Sequence, residues 1–198
     1  NDTLEGRDGG DWLVGRAGKT TASYLHSPNL VTANLGASYA NTGEAAGDYF
    51  DSIENLVGSA YDDSLTGNSS DNRITGGKGR DTLKGAGGKD IFDYDDVAES
   101  PPGASADQIK DFKPGSSSST DDKIDVATID AKASSAGNQS FKFIGTKGFT
   151  AEGQVRIRKS GPDIIVQGNT SGTSGAEFEI ILKGLSDTSD FTDKDFRL

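Results

Sequence analysis

The sequence predicts an all-β chain in two parts: a coil of short parallel strands over residues 1–98, then an antiparallel β cap over residues 99–198. Three observations carry this reading. From Gly58 the chain counts in nines, as GSAYDDSLT, GNSSDNRIT, GGKGRDTLK and GAGGKDIFD. Each unit places an oxygen-bearing side chain sixth (Asp63, Asn72, Asp81, Asp90) and a large apolar one eighth (Leu65, Ile74, Leu83, Phe92). After Phe92 the period disappears, and short strand-like runs separated by hairpin-like loops replace it, with no long 3.6-residue apolar stripe. A fixed short period signals a repeat architecture.

The two halves of each unit explain the coil. The first six residues are glycine-rich or small and polar, so they turn sharply and visit positive φ. The last three, such as Thr82-Leu83-Lys84, suit a short strand with one inward apolar side chain. If each unit makes one turn and one strand, two units complete a coil, and residues eighteen apart stack. The frame extends back to Glu54 and Leu56 and forward to Glu99. One ladder then holds Glu54, Asn72 and Asp90, and the opposite one Asp63, Asp81 and Glu99. Carboxylates stacked at the strand spacing of about 4.8 Å repel unless a cation lies between them. Oxygen-only side chains combined with turn carbonyls suit a hard ion, and their irregular geometry favours calcium over magnesium.

GGKGRDTLK at 76–84 is a full match to the consensus GGxGxDxUx, and the array resembles the RTX (repeats-in-toxin) family, whose repeats form a calcium-bound parallel β-roll. GAGGKDIFD departs at Ala86; GSAYDDSLT keeps the first glycine and the Asp; GNSSDNRIT keeps only the first glycine, with Asn72 in the acid's place. The resemblance implies that turn carbonyls and sixth-place side chains of stacked turns surround several Ca2+ ions. The carbonyls would come from Gly58, Ala60, Gly67, Ser69, Gly76, Gly77, Lys78, Gly79, Gly85, Ala86, Gly87 and Gly88. Side-chain ligands would be Glu54, Asp63, Asn72, Asp81 and Asp90, with Asp2 and Asp11 in the earlier repeats. Turns 58–63 and 76–81 would share one ion, turns 67–72 and 85–90 another, and Glu54 with Asn72 would frame a third. Residues 106–130 resemble the segment after the roll in serralysin-type metalloproteases, which implies that Glu99 and Asp107 close a last site with Asp81.

Taken in order, residues 1–20 hold Asp2 and Leu4, then Asp11 and Leu13, then Thr20 where the acid is lost. Trp12, at the outward seventh place, reads as edge packing or a stacking platform. Residues 21–57 form an irregular insertion with short strands around Val31 and Leu35, and the sole histidine, His26, reads as an exposed loop residue. Residues 58–93 carry the regular repeats. In the cap, the serine-rich run reads as a loop, and ADQIKDF, DDKIDVATID, QSFKFIG, QVRIRK, DIIVQG and EFEIILKGL read as strands. The terminal SDFTDKDFRL is similar to the uncleaved C-terminal signals of type I secretion substrates, with Arg197 as a departure.

Composition bounds the function. The formal charge of −11 argues against nucleic acid, whose phosphates would be repelled. No cysteine is present, which removes disulfides, thiolate metal sites and a cysteine nucleophile. No apolar run reaches membrane-spanning length. Neither HExxH nor GxSxG occurs, and a single histidine gives no histidine-based triad. The hydrophobic fraction of 32% and mean hydropathy of −0.56 fit a glycine-rich repeat with 27 glycines. The chain opens in the middle of a unit and reads as the C-terminal piece of a longer exported protein, with an upstream domain and the type I machinery as partners. The expectation is a secreted, extracellular Gram-negative bacterial module that folds when it meets calcium and has no catalysis of its own. The alternative is a module binding an acidic polysaccharide such as alginate, in an extracellular epimerase, lyase or adhesin. Arg73, Lys78, Arg80, Lys84 and Lys89 would supply its basic strip, or serve as solubilising surface charge.

Overall fold

The computed structural model describes residues 1–115 and 121–198; the serine-rich run at 116–120, expected as a loop, lies outside the described residues. The first strands are β1 (Thr3–Leu4), β2 (Trp12–Val14), β3 (Thr21–Ser23), β4 (Thr32–Asn34), β5 (Tyr49–Asp51) and β6 (Asn55–Val57). The regular repeats give β7 (Ser64–Thr66), β8 (Arg73–Thr75), β9 (Thr82–Lys84) and β10 (Ile91–Asp93). Then follow β11 (Asp107–Ile109), β12 (Lys123–Asp125), β13 (Lys142–Phe143), β14 (Gln154–Ser160), β15 (Asp163–Asn169), β16 (Phe178–Leu182) and β17 (Phe196–Arg197). No helix of the described residues is long and apolar enough to cross a membrane.

The repeats coil as their arithmetic requires. Successive strands alternate between two sheets, so each pairs in parallel with the strand eighteen residues away. One sheet runs β1-β3-β6-β8-β10-β12-β17, and the other contains β4-β7-β9-β11. Eighth-place residues stack in register: Leu56 on Ile74, Ile74 on Phe92, and Leu65 on Leu83. Their side chains fill the lumen between the sheets, where Leu56, Leu65, Ile74, Leu83 and Phe92 are wholly buried. Each such burial contributes about 2 kcal/mol. The central residue of each triplet points in and its neighbours point out, the period-two alternation of a strand.

Parallel stacking continues past residue 98. Ile109 stacks on Leu83 and Ile124 on Phe92, so β11 and β12 are further rungs. Their sequences explain it: Asp107-Gln108-Ile109 and Asp122-Lys123-Ile124 repeat the acid–polar–apolar triplet without the nine-residue count. Among the named strands of the described residues, antiparallel pairing is confined to β14-β15-β16, a hairpin pair that joins the roll through parallel contact of β16 with β11. Chain end β17 is the last parallel strand of the first sheet, with Phe196 on Ile124.

The insertion at 21–57 is also built of rungs. Between β3 and β6 the chain places two strands on the opposite side: β4 pairs forward with β7, and β5 pairs back with β2. A bridge between Thr32 and Thr42 and 3-10 turns at Ser38–Ala40 and Gly43–Ala45 connect them.

Candidate metal centre

Turns of the roll bring the sixth-place side chains into two buried ladders. On one, the Val31 amide donates to Asp63 Oδ1 at 2.6 Å, the Asp63 amide to Asp81 Oδ1 at 2.8 Å, and the Asp81 amide to Asp107 Oδ1 at 2.7 Å. On the other, the Asn72 amide donates to Asp90 Oδ1 at 2.9 Å and the Asp90 amide to Asp122 Oδ1 at 3.0 Å. Further back, the Thr20 amide donates to Glu54 Oε2 and the Asp11 amide to Asp48 Oδ1. Each acid therefore ties its own turn to the amide of the turn beneath it.

One oxygen of each acid is accounted for in this way; the second often is not. Asp81 Oδ2, Asp90 Oδ2, Asp107 Oδ2 and Asp11 Oδ2 are buried without a hydrogen-bond partner. Asp81 and Asp107 are 0% exposed and Asp90 is 1% exposed. Leaving a buried carboxylate oxygen uncompensated costs several kcal/mol. Burial pushes the Asp81 carboxyl up to about 9, with the charge of Asp107 adding to it. Burial likewise lifts Asp107 to about 8, while the Asp81 amide and the neighbouring Tyr94 hydroxyl work the other way and the charge of Glu99 adds to the rise. Asp90 and Glu99 rise to about 7 and Asp122 to about 6, all chiefly through burial. A cation held between the turns would compensate the charge of such a stack.

Glycines pack the free oxygens against the backbone. A Cβ on Gly76 would lie 2.3 Å from Asp81 Oδ2, and one on Gly85 would lie 2.2 Å from Asp90 Oδ2. Gly77 (φ +89°) sits so close to the turn below that a Cβ would fall 2.3 Å from the Ser59 carbonyl oxygen. Among the described residues no three acidic or histidine side chains converge on one point. Carboxylates alone therefore make no site, and the turn carbonyls must complete an ion's six to eight oxygens. The donor set is all oxygen, which fits calcium.

Among the sequence-predicted pairs, turn 58–63 lies directly on 76–81, and 67–72 on 85–90. Asp107 follows Asp81 on its ladder, whereas Glu99 accepts from the Asp95 amide at 3.1 Å in the adjoining loop. Glu54 meets Asn72 through its carbonyl, which accepts from Asn72 Nδ2 at 3.0 Å. Asp2 is exposed, and its carbonyl accepts from the Thr21 amide. The carbonyl-bearing positions Gly58, Ala60, Gly67, Ser69, Lys78, Gly79, Gly87 and Gly88 all lie in these turns.

Asp48 and Asp122 were missed by counting in nines. Both open the same triplet, as Asp48-Tyr49-Phe50 and Asp122-Lys123-Ile124, and that pattern would have found them. Asp48 is 0% exposed, and Tyr24 Oη donates to its Oδ2 at 2.7 Å. His26 is exposed, with Nδ1 2.9 Å from Glu5 Oε1. Trp12 is 79% exposed and packs against Tyr49, with ring centroids 5.2 Å apart.

Comparison with known proteins agrees with this geometry. Residues 1–21, 48–83 and 66–96 match the family described as RTX calcium-binding nonapeptide repeat, in four copies. No curated protein matches the chain. Two similar solved structures are solution structures of subunits of the Azotobacter vinelandii mannuronan C5-epimerase. The AlgE6R2 subunit is 22% identical with a TM-score of 0.52, covering 92% of this chain and 93% of that one. The AlgE6R3 subunit is 22% identical with a TM-score of 0.48, covering 85% and 77%. The first of these likenesses supports the β-roll fold.

Proposed function

We propose that this chain, whose matched segments are RTX calcium-binding nonapeptide repeats, is the calcium-responsive folding module of a larger exported protein. The observation that carries the reading is the set of buried carboxylate oxygens without donors at Asp81, Asp90, Asp107 and Asp11. Bound Ca2+ would neutralise these ladders and cross-link successive turns. Asp81 with Asp107, and Asp90, would face the ions of the two ladders, with carbonyls of turns 76–81 and 85–90 completing the shell; Asp122, both of whose oxygens accept backbone amides, would tie the turns together. Asp11 would serve the N-terminal rungs, and Glu99 would add charge next to Asp107. Without the cation, the glycine-rich turns retain large conformational entropy and the stacked acids repel. Low cytosolic calcium keeps such a chain extended for export, and high external calcium folds it on arrival. Type I secretion is the route this reading assigns, with the acidic, aromatic tail 189–198 as its signal. The module itself is not catalytic; chemistry belongs to an upstream domain.

Calorimetric titration tests the reading. The expected result is several calcium ions bound, little magnesium, and fewer ions for Asp81→Asn and Asp107→Asn. Equal binding of both metals, or none, would refute it.

A second reading is supported by one surface. A groove of about 410 Å³ on the outer face of the first sheet is lined by Lys19, Asn55, Arg73, Lys89, Lys123 and Arg197, among others. The whole lining carries five cations against three acids, Asp71, Asp90 and Asp121, a small positive balance compatible with an acidic polysaccharide; the AlgE6R2 subunit belongs to a mannuronan C5-epimerase. Lys78, Arg80 and Lys84 do not line it, and Arg73 is committed to Asp93 and Asp125. Calorimetry with polyuronate fragments decides this reading: loss of binding in Lys19→Ala/Lys89→Ala supports it, and no binding by the wild type removes it.

A further inference from the structure

The nonapeptide turns are of two kinds, and the residue at the second place separates them. In turns 6–11, 76–81 and 85–90 that residue is left-handed: Arg7 has φ 67°, Gly77 has φ 89° and Ala86 has φ 71°. In those same three turns the acid's second oxygen is buried and unpartnered, at Asp11, Asp81 and Asp90. The Ala86 amide points away from Asp90 and donates instead to Asp111 Oδ2 at 2.9 Å.

Turns 58–63 and 67–72 are built otherwise. Ser59 and Asn68 hold the second place without positive φ, and their amides reach back to the sixth-place side chain. Ser59 N–H donates to Asp63 Oδ2 at 2.5 Å, and Asn68 N–H donates to Asn72 Oδ1 at 2.8 Å. Ser59 Oγ and the Val31 amide donate to Asp63 Oδ1 at 2.9 and 2.6 Å. Both oxygens of Asp63 are thus met by the protein. Asn72 removes the charge altogether, and its Nδ2 donates to the Glu54 carbonyl at 3.0 Å, binding adjacent rungs as an ion would. The Ser59 and Asn68 side chains also accept from the Tyr61 and Ser70 amides, which fixes the turns locally.

We propose that turns 58–63 and 67–72 are closed without a cation, so that the roll has a metal-independent centre flanked by calcium-dependent rungs. Ser59, Asn68 and Asn72 supply there the charge compensation and the inter-turn links that the open turns take from calcium. The insertion belongs to this centre: β4 pairs with β7, and the Val31 amide completes the Asp63 shell. Calcium then extends a preformed centre outward in both directions rather than folding every rung at once. This inference rests on the calcium reading above.

Hydrogen exchange of the full chain in chelator and in calcium, read by mass spectrometry, tests it together with native mass spectrometry of bound ions. In chelator, amides of 55–57, 64–66 and 73–75 are expected to exchange at least tenfold more slowly than those of 82–84 and 91–93. Calcium should add protection mainly at 76–93, 107–109 and 123–125. Asp63→Asn should leave the number of bound ions unchanged, and Asn68→Gly/Asn72→Asp, which restores an open turn with an acid, should add one. Equal exchange of the two regions in chelator, or loss of an ion in Asp63→Asn, would overturn the proposal. A wild-type chain that binds no calcium would instead refute the calcium reading, and the exchange contrast in chelator would still decide whether the centre is preformed.

Discussion

Asp63 and Asp81 occupy the same place in adjacent coils, are both buried, and are bridged by a single backbone hydrogen bond, yet their carboxylates differ in state. The difference comes from a neighbour four residues upstream, Ser59 in one turn and Gly77 in the other. Removing an unpartnered acid should therefore matter more for calcium than removing a satisfied one. Asp107→Asn is expected to weaken calcium at least tenfold at its rung, about 1.4 kcal/mol, as read by calorimetry, while exposed Asp8→Asn changes it little. Protonation gives a second residue-scale outcome. Without metal, Asp81 and Asp107 are held at about 9 and about 8, against an ordinary value of 3.8. Between those limits the folded chain binds more protons than the unfolded one, so metal-free stability falls as pH rises through the window. Calcium ligation needs the deprotonated form and reverses the trend. Thermal midpoints in chelator should drop from about pH 5 to about pH 8.5, and those in saturating calcium should rise; parallel trends in both buffers would contradict the assignment.

Triplets and turns are the elements whose behaviour these residues set. Gly77→Ala places a Cβ against the Ser59 carbonyl at a left-handed φ and should cost about 2 kcal/mol or more, whereas Ala86→Gly relieves the same conformation and should raise the thermal midpoint in calcium by about 2 °C. Across four strands, Arg73 donates to Asp93 and Asp125, and Arg197 reaches Asp125 at 3.4 Å. Arg73→Ala leaves Asp93 with only the Thr75 hydroxyl and Asp125 with Arg197, and should cost about 2 kcal/mol in chemical denaturation, the guanidinium being partly exposed. Much at this scale was legible in the sequence. The nine-residue count placed β7 to β10, their inward residues and their stacking partners, because backbone period and side-chain period coincide there. It failed where the triplet survives without the count: Asp48 lies fifteen residues before Asp63 and Asp122 lies thirty-two after Asp90, so a fixed interval passes over both. Strand β4 carries only Ala33 as a buried apolar residue, flanked by buried Val31 and Leu35, and its place beside β7 is decided by tertiary pairing.

Over the whole molecule, the parallel stack runs from the N-terminal strand to the C-terminal one. The antiparallel hairpins lean on its second sheet through β16, and β17 closes its first. Phe196 packs against Phe143 and Phe191 stacks on Phe112, so the tail covers the end of the lumen. Asp195 accepts from the Gly115 amide, and the Lys113 amide donates to Asp122, which links the tail to the last acid of the second ladder. Deleting residues 192–198 should therefore raise the calcium concentration needed for folding by several-fold, with little change in the signal of the fully folded state. Within the tail, Asp193–Asp195 form a 3-10 turn and Phe196–Arg197 the closing strand.

The most direct test of the account is far-UV circular dichroism of the whole chain during calcium addition from a chelated start, with magnesium as the control. The account predicts a partly ordered spectrum in chelator, a cooperative gain of β signal in calcium and none in magnesium. A spectrum already fully β in chelator and unmoved by calcium would contradict it.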